Sequence, residues 1–190
     1  MGPEAAGESA EPPEVAAAWQ FAGERDGFER LWTPHRMVYL RGQHPGDGNG
    51  ECPFCRAPRL DDADGLLVTR GEHAFVVLNL FPYNTGHLMV CPYRHVAFYP
   101  DLDDGETAEI AALTKTAMRV LTEISGCQGF NVGMNQGSVA GAGIAAHLHQ
   151  HIVPRWTGDA NFLPIIGRTR ALPELLEETR ARVTEAWPTS

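Results

Sequence analysis

Three short apolar segments, each bounded by turn-forming residues, occupy the middle of the chain. They cover residues 66–70, 74–80 and 87–92, and the breaks between them contain Gly71 and the segment 82–86, PYNTG. Apolar runs of about four to eight residues between such breaks are typical of β-strands. The short breaks favour hairpins, so the pattern predicts an antiparallel sheet.

The most regular helical period lies between Gly105 and Ser125. Apolar residues recur there at helical spacing, at Ile110, Leu113, Ala117, Val120, Leu121 and Ile124. Either Asp103 or Asp104 is placed to cap the first turn, and Gly126 is placed to end the helix. The pattern predicts one long helix.

Two further strands and a second helix are expected after it. Residues 129–135 and 147–153 have the length and apolar content of strands, and Pro154 is expected to close the second one. A C-terminal helix stopped by Pro188 is indicated by apolar residues at 172, 175, 176, 183 and 187. The elements together predict an α+β fold, with an antiparallel sheet of about five strands, a long helix and a C-terminal helix.

Composition favours one globular domain with a polar N-terminal tail. Residues 1–16 are rich in Pro, Ala, Gly and Glu and predict a disordered acidic tail. Residues 17–190 are expected to form a single domain, since a chain of 190 residues that is 43% hydrophobic has the apolar content of one domain.

Charge and hydropathy narrow the choice of partners. A net charge of −9 disfavours nucleic acid as a partner, because polyanion binding depends on clustered cations. No apolar stretch reaches the roughly 18–20 residues of a membrane span, and the first residues lack the basic segment followed by an apolar one that is typical of a secretory signal. We therefore expect a cytoplasmic protein without a membrane partner.

The segment AAHLHQHIVPRW, residues 145–156, places His147, His149 and His151 at every second position. On a strand these side chains share one face, while Leu148 and its alternating neighbours face the other way. A polar sheet face with solvated histidines is the simpler interpretation. The glycine-rich loop 137–143 just before them favours phosphate chemistry instead, because successive backbone N–H groups form an anion-binding concavity.

A second pattern in that loop is rejected. Residues 141–146, GAGIAA, match the glycine pattern of dinucleotide-binding folds. That motif requires a following helix to receive the pyrophosphate, and a histidine-bearing strand is predicted here.

The pair Cys52 and Cys55 has the spacing at which two thiolates reach one tetrahedral Zn²⁺. A redox dithiol would require a thioredoxin-like βαβ context, which the pattern does not predict. Cys91 and Cys127 are interpreted as small core residues.

Two separate motifs resemble one known family. HLHQHIV, residues 147–153, resembles the H-x-H-x-H-x-x signature of the histidine-triad (HIT) nucleotide-binding proteins. NLFPYNTGHLMVCPYRHV, residues 79–96, is similar to the family segment in which Asn or Asp precedes G-H-x-[LM]-V by eight positions, here Asn79 and His87. The resemblance covers about residues 50–160 and implies a HIT-like fold, with the core of the domain 17–190 at about residues 50–160.

Asn79 and the sequence VCPYR point to the fragile-histidine-triad branch of the family, which acts on dinucleoside polyphosphates. The ECPFC pair, VPRW and the extended terminal segments are most similar to the actinobacterial phosphorylases of that branch. The resemblance implies that His149 attacks the α-phosphorus and that His151 stabilises the phosphate charge. A covalent nucleotidyl-histidine splits one displacement into two easier ones.

The resemblance also implies the substrate contacts. Asn79 would bind the ribose hydroxyls, although it can instead cap the turn before Pro82, and His87 would orient the site. The glycine loop, including Gly143, would donate N–H groups to phosphate oxygens. Asn135 or Gln136 would serve the leaving-group side; the motif favours Asn135 and the count of positions favours Gln136. Arg155 and Trp156 are interpreted as rim residues.

Relatives with the cysteine pair complete a metal site with a histidine after the G-H-x-x-V strand and with the first triad histidine. In this chain those positions are His95 and His147, which implies a structural Zn²⁺ bound by Cys52, Cys55, His95 and His147. Four protein ligands leave no open coordination position for catalysis.

The implied activity is phosphorolysis of diadenosine tetraphosphate to ADP and ATP, with inorganic phosphate as the second substrate. Gly143 and Ile144, where the hydrolases carry polar residues, favour that choice. The alternatives are a hydrolase that releases AMP, a nucleoside phosphoramidate hydrolase, and a nucleotide-binding module without turnover. The family implies a homodimer, with a tetramer as the alternative.

Overall fold

A five-stranded antiparallel sheet in the order β1-β2-β3-β5-β4 forms the centre of the molecule. The computed structural model describes residues 51–159 and 174–189. The strands are β1 (Leu67–Arg70), β2 (Ala74–Leu78), β3 (Leu88–Pro92), β4 (Gly129–Met134) and β5 (Gln150–Arg155). The α+β class and the strand number are therefore confirmed. The predicted tail, the domain start near residue 17 and Leu172 lie outside the described residues.

Three α-helices accompany the sheet in the described part of the chain: α1 (Pro53–Arg56), α2 (Asp104–Ser125) and α3 (Leu176–Glu185). Asp103 is the cap of α2: its side chain accepts from the Glu106 N–H, and the Glu106 side chain accepts from the Asp103 N–H. Such a capping box satisfies donors that a helix start otherwise leaves unpaired. Gly126 ends α2 in the left-handed conformation, with φ 61°, where glycine is favoured.

The two faces of the sheet bury different partners. One face packs against α2 through Val68, Ala74, Val76, Leu78, Leu88, Val90 and Ile152. The other face holds a smaller cluster with Phe54 of α1, formed by Leu67, Phe75, Val77, Met89 and Cys91. Alternation along β2 thus sends successive side chains to opposite sides. Burial on both faces explains why these strands are almost wholly apolar.

The strand that carries the histidines begins later than predicted. β5 starts at Gln150, so His147 and His149 precede it. The reason is local: Leu148 donates its N–H to the Val96 carbonyl at 2.6 Å, outside the sheet ladder. The alternation still extends through this segment, because Gln150 reaches the α2 side while His149 faces the other way, against Phe54.

Pro154 lies within β5 and does not end it. It pairs with Phe130 of β4. Pairing between β3 and β5 stops at Ile152, so a proline two residues further along removes no bond to β3.

The C-terminal helix α3 is shorter than predicted and ends at Glu185, before Pro188. It is anchored by Val183, which is fully buried in the α2-side core, and by a hydrogen bond from Arg180 to the Leu67 carbonyl. Across the described residues, no helix combines the length and the apolar character that crossing a bilayer requires.

Candidate active site and metal centre

His149 is held in one tautomer by its own backbone. Its ring is 5% exposed, and Nδ1 lies 2.8 Å from the carbonyl oxygen of His147. A carbonyl only accepts, so Nδ1 carries the proton and Nε2 keeps its lone pair in the neutral ring. Burial lowers the pKa of His149, although the bond to the carbonyl opposes that shift. At pH 7 the ring is therefore neutral, with Nε2 unprotonated.

A relay of hydrogen bonds fixes the proton of His151. The Tyr83 N–H donates to Nδ1 of His87 at 3.0 Å, so the His87 proton resides on Nε2. His87 Nε2 in turn lies 2.9 Å from Nδ1 of His151. Nδ1 of His151 must accept, which leaves the His151 proton on Nε2. Burial and the neighbouring His149 lower the pKa of His151 to about 4, so it is a neutral donor.

Sequence reasoning missed the aromatic ring that covers this relay. Tyr83 stacks on His151 with ring centroids 5.6 Å apart and contacts His87 at 4.6 Å. The ring is 44% exposed, so one of its faces meets solvent while the other faces the histidines. In the sequence, only its position in the turn, four residues before His87, could have marked Tyr83 as part of the site.

Phe54 was also missed. Its ring centroid lies 4.8 Å from that of His149 and 5.5 Å from that of His147. It is buried in the cluster on the histidine side of the sheet. The signal was its place inside the C-P-F-C segment, since a residue between two candidate metal ligands must lie close to the cluster that they form.

Asn79 lies directly after β2, beside His87. Its Oδ1 accepts from the Phe81 N–H at 3.0 Å, and its Nδ2 lies 3.3 Å from Nδ1 of His87. The first contact is the turn-capping alternative. The second adds another donor at His87 Nδ1 and therefore favours the same tautomer.

The two leaving-group candidates have different environments. Gln136 accepts the Tyr99 N–H with Oε1 at 2.8 Å, so its side chain braces a neighbouring loop. For the Asn135 side chain, no hydrogen-bond partner occurs within residues 51–159 and 174–189. This difference favours Asn135 as the side chain available to a ligand.

The glycine-rich loop turns at two left-handed positions, Gly137 with φ 77° and Gly141 with φ 79°. Such conformations favour glycine. Gly143 follows and is half-buried, and Ile144 packs against the cluster that contains Phe54. The loop therefore approaches the histidine side of the sheet, where its N–H groups can serve an anion.

Arg155 and Trp156 make contacts within the fold. Arg155 binds both carboxylate oxygens of Asp159, at 2.6 and 2.7 Å, and reaches Asn131 Oδ1. Trp156 donates its indole N–H to the Ser125 carbonyl. These bonds tie the end of β5 to its neighbours.

Two thiols and two imidazoles converge at the start of α1. The ligand atoms of Cys52, Cys55, His95 and His147 all lie within 4.8 Å of one another. His147 Nδ1 is 3.3 Å from Cys52 Sγ and 3.5 Å from Cys55 Sγ, and His95 Nδ1 is 3.2 Å from Cys55 Sγ. Ligands of a tetrahedral Zn²⁺ lie about 3.5 Å apart, given bonds of about 2.3 Å to sulfur and 2.0–2.1 Å to nitrogen. The cluster can therefore bind a metal.

The orientation of His147 supports this assignment. Its Nε2 lies 2.9 Å from the Pro92 carbonyl, so Nε2 carries the proton and Nδ1 is the atom turned to the thiols. Metal-ligating histidines commonly donate their other ring N–H to such an acceptor.

Comparisons with known proteins agree with the two sequence motifs. The HIT domain model matches residues 61–158. The AP-4-A phosphorylase of Mycobacterium tuberculosis is 49% identical over 170 residues, which are 87% of this chain and 87% of that protein. The asymmetrical bis(5'-nucleosyl)-tetraphosphatase of Schizosaccharomyces pombe is 32% identical over 91 residues, 48% of each chain.

A solved structure shows the same fold. A Zn-bound histidine triad family protein from Mycobacterium smegmatis has a TM-score of 0.57 and 26% identity, and the match covers 74% of this chain and 95% of that one. The family match spans the triad and His87 and begins after the cysteine pair. The chain is therefore a member of the HIT domain family.

Proposed function

We propose that the protein is a diadenosine tetraphosphate phosphorylase that acts through a covalent nucleotidyl-His149. The observation that carries the proposal is the hydrogen bond from His149 Nδ1 to the His147 carbonyl, because it leaves Nε2 as the nucleophile. The substrate class is supported by the 49% identity to the M. tuberculosis AP-4-A phosphorylase.

In the first step, Nε2 of His149 attacks one α-phosphorus, a P–N bond forms and the bond to the bridging oxygen breaks, releasing ATP. The imidazole ring gains positive charge as it attacks. The His147 carbonyl stabilises that charge, because hydrogen bonds to ionised groups are stronger than neutral ones. The Nε2–H of His151, oriented by His87, donates to an oxygen of the phosphate or of the leaving group.

In the second step, an oxygen of inorganic phosphate attacks the same phosphorus. The P–N bond breaks, its electron pair returns to Nε2 of His149, and ADP leaves. In the proposal Asn79 contacts the ribose, Asn135 serves the leaving-group side, and the loop that includes Gly143 donates N–H groups to the phosphate oxygens.

The proposal assigns Zn²⁺ to Cys52, Cys55, His95 and His147, in a structural role. A tetrahedral ion bound by four protein ligands contributes folding free energy and leaves no position for substrate. These ligands come from the start of α1, where Cys52 precedes the helix and Cys55 lies in it, from the segment after β3 and from the segment before β5, so their role is to hold those three segments together.

The proposal also includes a homodimer in the cytoplasm. β4 lies at one edge of the sheet, with Val132 of that strand 45% exposed. An edge strand is a place at which a second copy can pair. Sedimentation analysis of the wild-type protein tests this part.

Product analysis on diadenosine tetraphosphate, with and without inorganic phosphate, tests the activity. We expect ADP and ATP in equal amounts, formed only when phosphate is present, and ³²P from labelled phosphate in the β-position of ADP. AMP and ATP formed without phosphate would identify the hydrolase, which the identity to the S. pombe tetraphosphatase favours as the second candidate. Binding without turnover would indicate the nucleotide-binding module.

A further inference from the structure

We infer that Phe54 is a positioning residue for the nucleophile: its ring supports one face of His149 and keeps Nε2 turned toward the substrate. The inference rests on the proposed function of His149, and it concerns a residue outside the triad and outside the metal ligands. It is carried by ring geometry, by burial and by the position of Phe54 in the chain.

One hydrogen bond does not fix an imidazole. The bond from His149 Nδ1 to the His147 carbonyl holds one atom of the ring, and the ring can still tilt about that contact. The Phe54 ring, with centroids 4.8 Å apart and an interplanar angle of 37°, supplies a surface against the imidazole. Phe54 and His149 are only 7% and 5% exposed, so little water can replace that surface.

Phe54 is itself held from both sides. It lies in α1, a four-residue helix that is far too short to be stable alone. Both flanking cysteines belong to the metal-binding cluster, and the Cys55 and Arg56 N–H groups bond back to the Cys52 carbonyl. The ring packs into the core cluster that includes Phe75.

The metal-binding cluster also includes His147, whose carbonyl is the second contact that orients His149. The His147 side chain faces Cys52 and Cys55, while its backbone carbonyl accepts the His149 proton. Both of these contacts to His149, from the Phe54 ring and from the His147 carbonyl, therefore come from residues that are ligands in the metal-binding cluster or lie between two of them. Loss of the Phe54 ring removes one of them and leaves the hydrogen bond in place.

This arrangement predicts a specific kinetic effect. Without the ring, His149 gains room to tilt, and a misplacement of about 1 Å can reduce a rate by about 10²-fold. The proposed substrate contacts do not involve Phe54, so binding is expected to persist. The chemical step should be slower while the KM stays close to that of the parent.

The test compares Phe54→Ala and Phe54→Leu with Phe75→Leu. Phe75 belongs to the same cluster, but its ring contacts Tyr93 at 5.2 Å and none of the triad histidines. All proteins are compared at equal metal content and at a temperature where each is folded. The measurements are kcat, KM and the ¹⁵N resonances of His149, which report its tautomer and its exchange between ring orientations.

For Phe54→Ala we expect kcat to fall by about 10-fold or more with KM within about 2-fold, and His149 to show exchange broadening or a second tautomer. Phe54→Leu should recover part of the kcat and part of the sharp, single-tautomer signal of His149. Phe75→Leu should keep the parent kcat and a single tautomer. Parent kcat and a single tautomer in Phe54→Leu and Phe54→Ala, or equal losses in Phe75→Leu, would overturn the inference. The resonances test the positioning even if the parent turns over no dinucleotide, so the two proposals fail separately.

Discussion

His87 Nε2 and His151 Nδ1 lie 2.9 Å apart, although the two residues are 64 positions apart in sequence. The Tyr83 N–H at His87 Nδ1 determines which nitrogen of each ring carries the proton. His87, which lies outside the triad segment, thus determines which ring nitrogen of His151 carries the proton. We propose that His151 donates this proton in a hydrogen bond to the phosphate.

Replacing His87 by Ala should lower kcat by about 10–100-fold, because His151 then loses the donor that keeps its own proton on Nε2. His87→Gln should recover part of the loss, since its amide N–H₂ can reach the position of Nε2. His73→Gln is the matched control: His73 is a half-buried histidine on the β1–β2 turn, and its side chain lies beside Gly105 of α2. Steady-state kinetics of the three variants check this, and unchanged kcat in His87→Ala would refute the relay.

The stability of the protein should fall in acid partly because of His151. Its pKa is lowered from 6.5 to about 4, so as the pH falls the unfolded chain binds this proton first. The contribution is fully present above pH 6.5 and is lost as the pH falls toward 4, and its size is at most about 3 kcal/mol. The groups that face His151 are His149, His87 and Tyr83.

The measurement is the free energy of unfolding in urea at pH 7 and pH 5, for the parent and for His151→Gln. The variant should lose less stability over this interval, because it lacks one of the groups that take up a proton on unfolding. An identical pH dependence in both proteins would contradict the burial argument.

Removing the metal should destabilise the protein through α1. A chelator is expected to lower the Tm of the parent by about 5 °C or more, since a ligand that binds only the folded state stabilises it. Without chelator, Cys55→Ser should already have a Tm close to that of the chelator-treated parent, and adding chelator should change it little. Cys127→Ala, which removes a buried thiol in the other core cluster, is the control and should respond like the parent. Metal analysis that finds no bound ion in the parent would contradict the site.

The capping box of α2 can be tested on its own. Asp103→Ala should reduce the free energy of unfolding by about 1 kcal/mol, because the Glu106 N–H loses its acceptor. Asp104→Ala, one residue further and inside the first turn, removes the same charge without a cap and should cost less. Equal losses in both variants would mean that charge at the helix start, and not the cap bond, stabilises α2.

The sequence predicted those features of the fold that depend on residues close together in the chain. The strands of the sheet follow from apolar runs, and α2 follows from its period and its cap residues. The alternation of the histidines placed His149 and His151 on one side although the strand begins only at Gln150. What the sequence could not predict depends on distant segments: the ring of Phe54 against His149, and the bond from Gln136 to the Tyr99 backbone.

A half-buried carboxylate illustrates the same limit. Glu109 of α2 accepts the N–H groups of Glu72, His73 and Ala74, which joins the helix to the β1–β2 turn. In the sequence it is one acidic residue on a helix face, and nothing nearby marks it as an acceptor for a turn more than thirty positions away. Only the packing of α2 on the sheet brings the two together.

Trapping the covalent intermediate tests the central claim most directly. Diadenosine tetraphosphate labelled with ³²P at the α-phosphorus is mixed with the protein in the absence of inorganic phosphate, quenched and digested. We predict an acid-labile, base-stable adenylyl group on the peptide that contains His149, absent in His149→Asn, which a chase with phosphate converts to labelled ADP. Label on another residue, or full conversion to ADP by His149→Asn, would contradict the assignment of His149 as the nucleophile.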